Sequence, residues 1–207
     1  MKKILFICLS LFLLDPASVH AQCFDKGYLI GEAGAGFGFY TTSAYDKTTK
    51  TTSNDTSGTF FFPLTVEYGM TKRFGLGGTF KYSNYIEGDS SGTLGVNGFD
   101  LVVRPAYHFI ARNRFGMNIR ADIGGTYISY RTNDVNDAKA TGAGLVYGLG
   151  AAMNFFFTDK FGMYLAYDYT AFAYKNLKLT DNTGNETFYE LSFKGSNFGL
   201  GLVFRLN

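Results

Sequence analysis

Tryptophan is absent from the 207 residues, proline occurs three times, and cysteine and histidine twice each. Cys8 and His20 fall within the first 21 residues, which read as a removable leader. Without them Cys23 has no partner for an intrachain disulfide, and His108 is the lone imidazole. A Cys/His metal site is therefore excluded. An excess of either charge is also missing. Nineteen basic residues face 17 acidic ones, and no basic stripe gathers the cations, which excludes nucleic acid as a partner. Beyond the leader no apolar run is long enough to cross a bilayer as a helix, and no segment has helical periodicity.

The leader itself has a recognisable layout. Lys2 and Lys3 precede the apolar run from Ile4 to Leu14, and small residues at Val19 and Ala21 occupy the cleavage positions. Residues 1–21 are expected to be a secretory signal peptide, and 22–207 a single domain. A lipid anchor on Cys23 would want an aliphatic residue at position 20 and a small one at 22. His20 and Gln22 stand there, so the expectation is an inert terminal thiol.

What the chain has in abundance is glycine (26), phenylalanine (22) and tyrosine (15). They alternate. From Phe74 the apolar series Phe74, Leu76, Phe80, Tyr82 runs opposite Gly75, Gly77, Thr79, Lys81 and Ser83. The same split of two unlike faces recurs from Phe115, from Phe161, in the segments leading into each, near Tyr28 to Phe39, and at the C-terminus. This period of two predicts eight strands. The phrase "KRFGL" at 72–76 returns as "NRFGM" at 113–117 and "DKFGM" at 159–163. Each copy opens a strand after a tight turn. The long polar stretches, Thr41 to Gly58, Ile86 to Val96, Arg131 to Ala140 and Lys175 to Glu186, fall only at the opposite strand ends and read as flexible loops. Three short turns on one rim and four long loops on the other predict an all-β, eight-stranded antiparallel up-and-down barrel.

The faces decide which side is the core. An eight-stranded barrel leaves room inside only for its own side chains. The Phe, Tyr, Leu and Met of one face are too bulky for that lumen, whereas the glycine-rich face fits it. The expectation is apolar side chains outward, as in a transmembrane β-barrel. Tyr68, Phe74, Phe109, Phe115, Phe155 and Phe161 would form an aromatic belt at the turn-side interface. Tyr82, Tyr127, Tyr169 and Tyr189 would form the other. With this layout the chain resembles the small outer-membrane β-barrel family of OmpA/OmpX type, in its stand-alone form. The resemblance implies an integral outer-membrane protein of Gram-negative type, in contact with outer-membrane lipid and lipopolysaccharide, and expected to be a monomer.

Inward charges are the candidate site. Glu32, Lys81, Arg104, Arg120, Asp122 and Asp168 are expected to share a layer near mid-membrane, with Glu67 and Arg205 nearer the turns and Asp100 nearer the loops. In a narrow lumen such charges should pair, because an isolated buried ion costs several kcal/mol. The reading that follows is a lumen closed by salt bridges, in a protein with structural and surface-interaction duties and a possible ligand at the loops. The alternative is a narrow porin-like channel. No enzyme activity, catalytic residue, cofactor or metal is expected. His108 points inward and reads as a lumen hydrogen-bonding group. "GAGFG" at 34–38 lacks the following helix a phosphate loop needs, and reads as small lumen residues.

Overall fold

The computed structural model describes residues 23–47, 49–87, 93–132, 139–180 and 186–206. The segment expected to be a signal peptide, and parts of the stretches expected to be loops (88–92, 133–138 and 181–185), lie outside the described residues. Eight strands follow in order: β1 (Leu29–Asp46), β2 (Thr52–Gly69), β3 (Phe74–Glu87), β4 (Thr93–Ala111), β5 (Phe115–Thr132), β6 (Lys139–Phe156), β7 (Phe161–Thr180) and β8 (Glu186–Arg205). Each pairs antiparallel with its neighbours. The ring closes through β1 and β8, in register from Ile30↔Arg205 to Asp46↔Tyr189.

Each copy of the repeated phrase begins a strand, at Phe74, Phe115 and Phe161. Two of the turns share a device. The amides of Met70 and Thr71 donate to the Phe74 carbonyl, and the Thr71 hydroxyl accepts from the amides of Arg73 and Phe74 (3.2 and 3.0 Å). Thr158 does the same for Lys160 and Phe161 (3.3 and 3.0 Å). The middle turn has no threonine and closes more tightly, by Arg112 N–H to the Phe115 carbonyl at 2.9 Å. The glycine after each Phe faces inward, where neighbouring side chains or backbone leave it no room. A Cβ at Gly75 would overlap the Glu67 carboxylate, one at Gly116 the Cys23 sulfur, and one at Gly162 the Phe155 carbonyl.

The solvation is inside out. Phe80, Leu165 and Leu200 are 46%, 41% and 57% exposed on the outer wall, while Arg104 and Arg120 are buried within. This holds only over part of each strand. At 14 to 20 residues the strands exceed the 9–11 a tilted span needs. Above Phe39 on β1 the outward residues become Thr41 and Ser43, and above Phe198 on β8 they become Ser196, Lys194, Ser192 and Glu190. Over the same stretch the inward residues turn apolar. Tyr40, Tyr85, Phe172, Tyr174 and Phe193 meet across the lumen, with ring centroids 5.3 to 6.4 Å apart. The loop-side end is thus built like a soluble barrel standing on a lipid-facing one.

This corrects three expectations. The polar stretches are mostly strand: 41–46 and 52–56 pair with each other, and only 47–51 separates β1 from β2. Their Thr, Ser and Asn side chains suit the outer face of an extension in water, which periodicity read as loop. The lumen is not lined only by small and polar groups, because its loop-side end lies above the lipid and needs a core. Tyr189 packs against that core and not in the outer belt: the alternation on β8 puts odd positions inside.

The change of polarity along β8 gives a testable depth scale. Leu200→Arg, within the apolar band, is expected to cost about 2–4 kcal/mol, and Ser196→Arg, at its edge, about 0–1 kcal/mol. Urea-dependent folding of the two variants into lipid bilayers measures the difference.

Candidate functional site

The inward charges come together as pairs, each positioned by the register. Lys81 and Asp100 are directly opposite on β3 and β4, and their ion pair is 3.0 Å. Asp100 therefore lies at the level of Lys81 and not above it, and it completes the pair. Its other oxygen accepts from the Thr126 hydroxyl at 2.6 Å. Arg104 forks onto Asp122 with Nε and Nη2 at 2.7 and 2.8 Å, and its Nη1 donates to Thr65 at 3.3 Å.

Arg120 forks onto Asp168 in the same way, at 2.8 and 2.7 Å. These two sit on β5 and β7, with Gly150 of β6 between them in one row. A Cβ at Gly150 would overlap the Asp168 carboxylate, so the glycine is what lets the arginine reach across. The second amino group of Arg120 lies 3.7 Å from Glu32. Two-pronged Arg–carboxylate contacts fix orientation as well as charge.

Glu67 stands apart from these pairs. Its carboxylate meets His108 Nε2 at 2.7 Å, nearer the turns. Phe24 lies flat on the His108 ring, with centroids 3.5 Å apart and planes 9° from parallel. This brings in a segment that the pattern of strands did not announce. Residues 23–28 cross the turn-side mouth as a strap. At one end Gly27 N–H donates to the Gly69 carbonyl and Gly69 N–H to that of Tyr28, both at 2.8 Å. At the other, Cys23 N–H donates to the Arg112 carbonyl at 3.0 Å. Cys23 and Phe24 are buried with Ile30, Phe156, Tyr164 and Val203. The Arg205 guanidinium lies over Tyr28 and Phe156, at 4.6 and 5.3 Å.

Cys23 is thus a buried thiol within the strap. Burial pushes its pKa up from 9.0 to about 11. The only signal for the strap was the apolar pair Cys23-Phe24, too short to carry a period. The six residues expected as the turn-side belt, Tyr68, Phe74, Phe109, Phe115, Phe155 and Phe161, all stand on the outer wall. Phe115 meets Phe155 at 4.9 Å, and Phe161 meets Phe204 at 5.4 Å. On the loop side Tyr82 donates to Asn97 at 2.7 Å, and the hydroxyls of Tyr167 and Ser196 share a 3.0 Å hydrogen bond.

Seven of the paired charges, Glu32, Lys81, Asp100, Arg104, Arg120, Asp122 and Asp168, line one internal cavity of about 30 Å³. That is room for a water or two. Among the described residues no three His, Cys, Asp or Glu side chains converge as metal ligands.

A closed ring whose wall is apolar outside and whose ion pairs are held within defines the class of outer-membrane β-barrels. The chain matches the family described as "Outer membrane protein beta-barrel domain" over residues 4–205, and it belongs to that family. It is an integral protein of the outer membrane. Among solved structures it is similar to OprG of Pseudomonas aeruginosa, with a TM-score of 0.60 and 13% identity over 89% of this chain and 98% of that one. It is also similar to AlkL, solved in DMPC lipid bilayers (0.56, 8%, covering 93% and 95%). A third relative in fold is the outer membrane protease OmpT of Escherichia coli (0.51, 9%, covering 86% and 97%). Identities this low make the likeness one of fold. No curated protein matches.

Two outcomes follow from the geometry. Arg120→Ala leaves Asp168 and Glu32 buried without their cation and is expected to cost about 3–5 kcal/mol. Replacing Arg120 by Met, Asp168 by Leu and Glu32 by Gln together, which leaves no carboxylate without its cation, should recover most of that loss in a bilayer folding titration. Cys23 should resist maleimide at pH 7.5 in the folded barrel and react at once after boiling. The folded thiol pKa lies above the unfolded one. Its contribution to holding the strap is therefore full below about pH 9 and is lost as pH rises through about 11.

Proposed function

We propose that the protein is a closed, monomeric outer-membrane barrel with structural and surface-interaction duties, its lumen sealed by paired charges. The observation that carries the reading is the size of the internal cavity, about 30 Å³, set among the ion pairs. Side chains block the path on both sides of it. The aromatic cluster around Tyr40 and Phe172 fills the loop-side end, and Phe24 on His108 fills the turn-side end. A porin-like pore would need all three layers to move together.

The belts that hold the barrel against outer-membrane lipid and lipopolysaccharide are Tyr68, Phe74, Phe109, Phe115, Phe155 and Phe161 on the turn side, and Tyr82, Tyr127 and Tyr169 on the loop side. The strand extensions above the apolar band, with polar outer faces, are the surface offered to an extracellular ligand. Enzyme activity forms no part of this reading. Likeness to OmpT is at the level of fold, which does not carry chemistry. The His108 ring is turned inward, bonded to Glu67 and covered by Phe24.

Purified protein in planar bilayers is expected to show no steady openings, and conductance on the order of a nanosiemens would overturn the seal. The surface role is checked apart from this, by comparing adhesion of cells with and without the protein.

A further inference from the structure

Two aromatic rings stand on the outer face of the polar extension, Tyr45 on β1 and Phe188 on β8. On the outer face of β8, above Phe198, come Ser196, Lys194, Ser192 and Glu190, and then Phe188, which is 45% exposed. It borders an open groove of about 430 Å³ at the loop-side rim, lined also by Lys47, Asn176, Glu186 and Thr187. The volume suits a small molecule and not a folded partner.

The polar groups around the ring are already held in place. Lys47 Nζ is bound by Glu190 at 3.2 Å, by the Lys175 carbonyl at 2.8 Å and by Asn176 Oδ1 at 3.0 Å. Glu186 is paired with Lys178 at 2.5 Å. Each charge in the groove is thus compensated by a neighbour, so the groove offers no net attraction to an anion. Asn176 spends its oxygen on Lys47, which directs its amide hydrogens elsewhere. Glu186 keeps a second oxygen to accept with. An aromatic face beside an amide donor and a carboxylate acceptor complements one class of small neutral molecule: a ring with apolar C–H groups on its face and hydroxyls on its edge.

We propose that this groove is a saccharide subsite, taking a neutral pyranose stacked on Phe188 with its hydroxyls toward Asn176 and Glu186. The proposal rests on the surface-interaction reading and gives it a ligand class. One ring and a few hydrogen bonds make a weak site, with a dissociation constant on the order of 1 mM.

Saturation-transfer NMR on the full-length barrel refolded in detergent micelles tests it. The probes are methyl β-glucoside, methyl β-galactoside, methyl α-mannoside, N-acetylglucosamine and a sulfated disaccharide. Transfer to the ring protons of at least one neutral sugar is expected. Phe188→Ala should weaken that binding at least tenfold, and Asn176→Ala several-fold. Phe60→Ala, on the lipid-facing wall, should leave it unchanged. A heat-shifted band on gels confirms that each variant is folded. No transfer to any neutral probe, transfer to the sulfated one alone, or undiminished binding by Phe188→Ala would overturn the proposal. Adhesion that needs the protein but not Phe188 removes the groove and keeps the surface role.

Discussion

Every backbone amide and carbonyl within the lipid must find its partner inside the protein, because hydrocarbon offers none. The β1–β8 register, from Ile30↔Arg205 onward, meets that demand by leaving no edge. Ring closure has a geometric consequence. With eight strands the interior is only a few side chains wide, so whatever lies there must be small or must meet a partner across the axis. The glycines of β3 and β6 beside Arg104, Arg120 and Asp122 answer the first demand, and the Arg–Asp forks answer the second. The ion pairs follow from closure.

Three layers are stacked along the axis, each with its own chemistry. Nearest the turns, an aromatic ring on an imidazole is held by a carboxylate, with a strap drawn across the mouth. In the middle, charge pairs surround a cavity with room for a water or two. Toward the loops, tyrosine and phenylalanine rings from β1, β3, β7 and β8 meet edge to face or stacked. The order follows from the surroundings. Where the outer wall is in lipid the inside can carry charges that pair. Where the outer wall is wet, only an apolar interior can hold the sheet together.

Much of this was legible in the sequence because period two is a strong signal when the two faces differ. Phe80 against Lys81, or Leu165 against Ala166, assigns a side at once. The repeated Phe-Gly located the turns, and the balance of inward arginines and aspartates announced pairing. Partner identity was less accessible. Lys81 meets Asp100 only through the β3–β4 register, which no local pattern reports. The strap was hidden for a different reason: Cys23 and Phe24 bury themselves through contacts with residues more than 80 positions away. The loop-side extension was misread because its rule is the reverse of the one below it. Tyr40 inside and Thr41 outside obey the same alternation as Phe39 outside and Gly38 inside, with the meaning exchanged. A bulge between Tyr174 and Leu177 on β7 shifts the phase once more, bringing Leu177 and Leu179 to the core.

That exchange of faces does more than add height. A uniform apolar cylinder would be free to ride up or down by a residue as the surrounding bilayer thickened or thinned. Here each direction is penalised, since sinking drags Lys194 and Glu190 into hydrocarbon while rising lifts Phe39 and Phe198 into water. The barrel carries its own waterline, drawn in side chains, and the lipid around it must adjust its thickness to the protein.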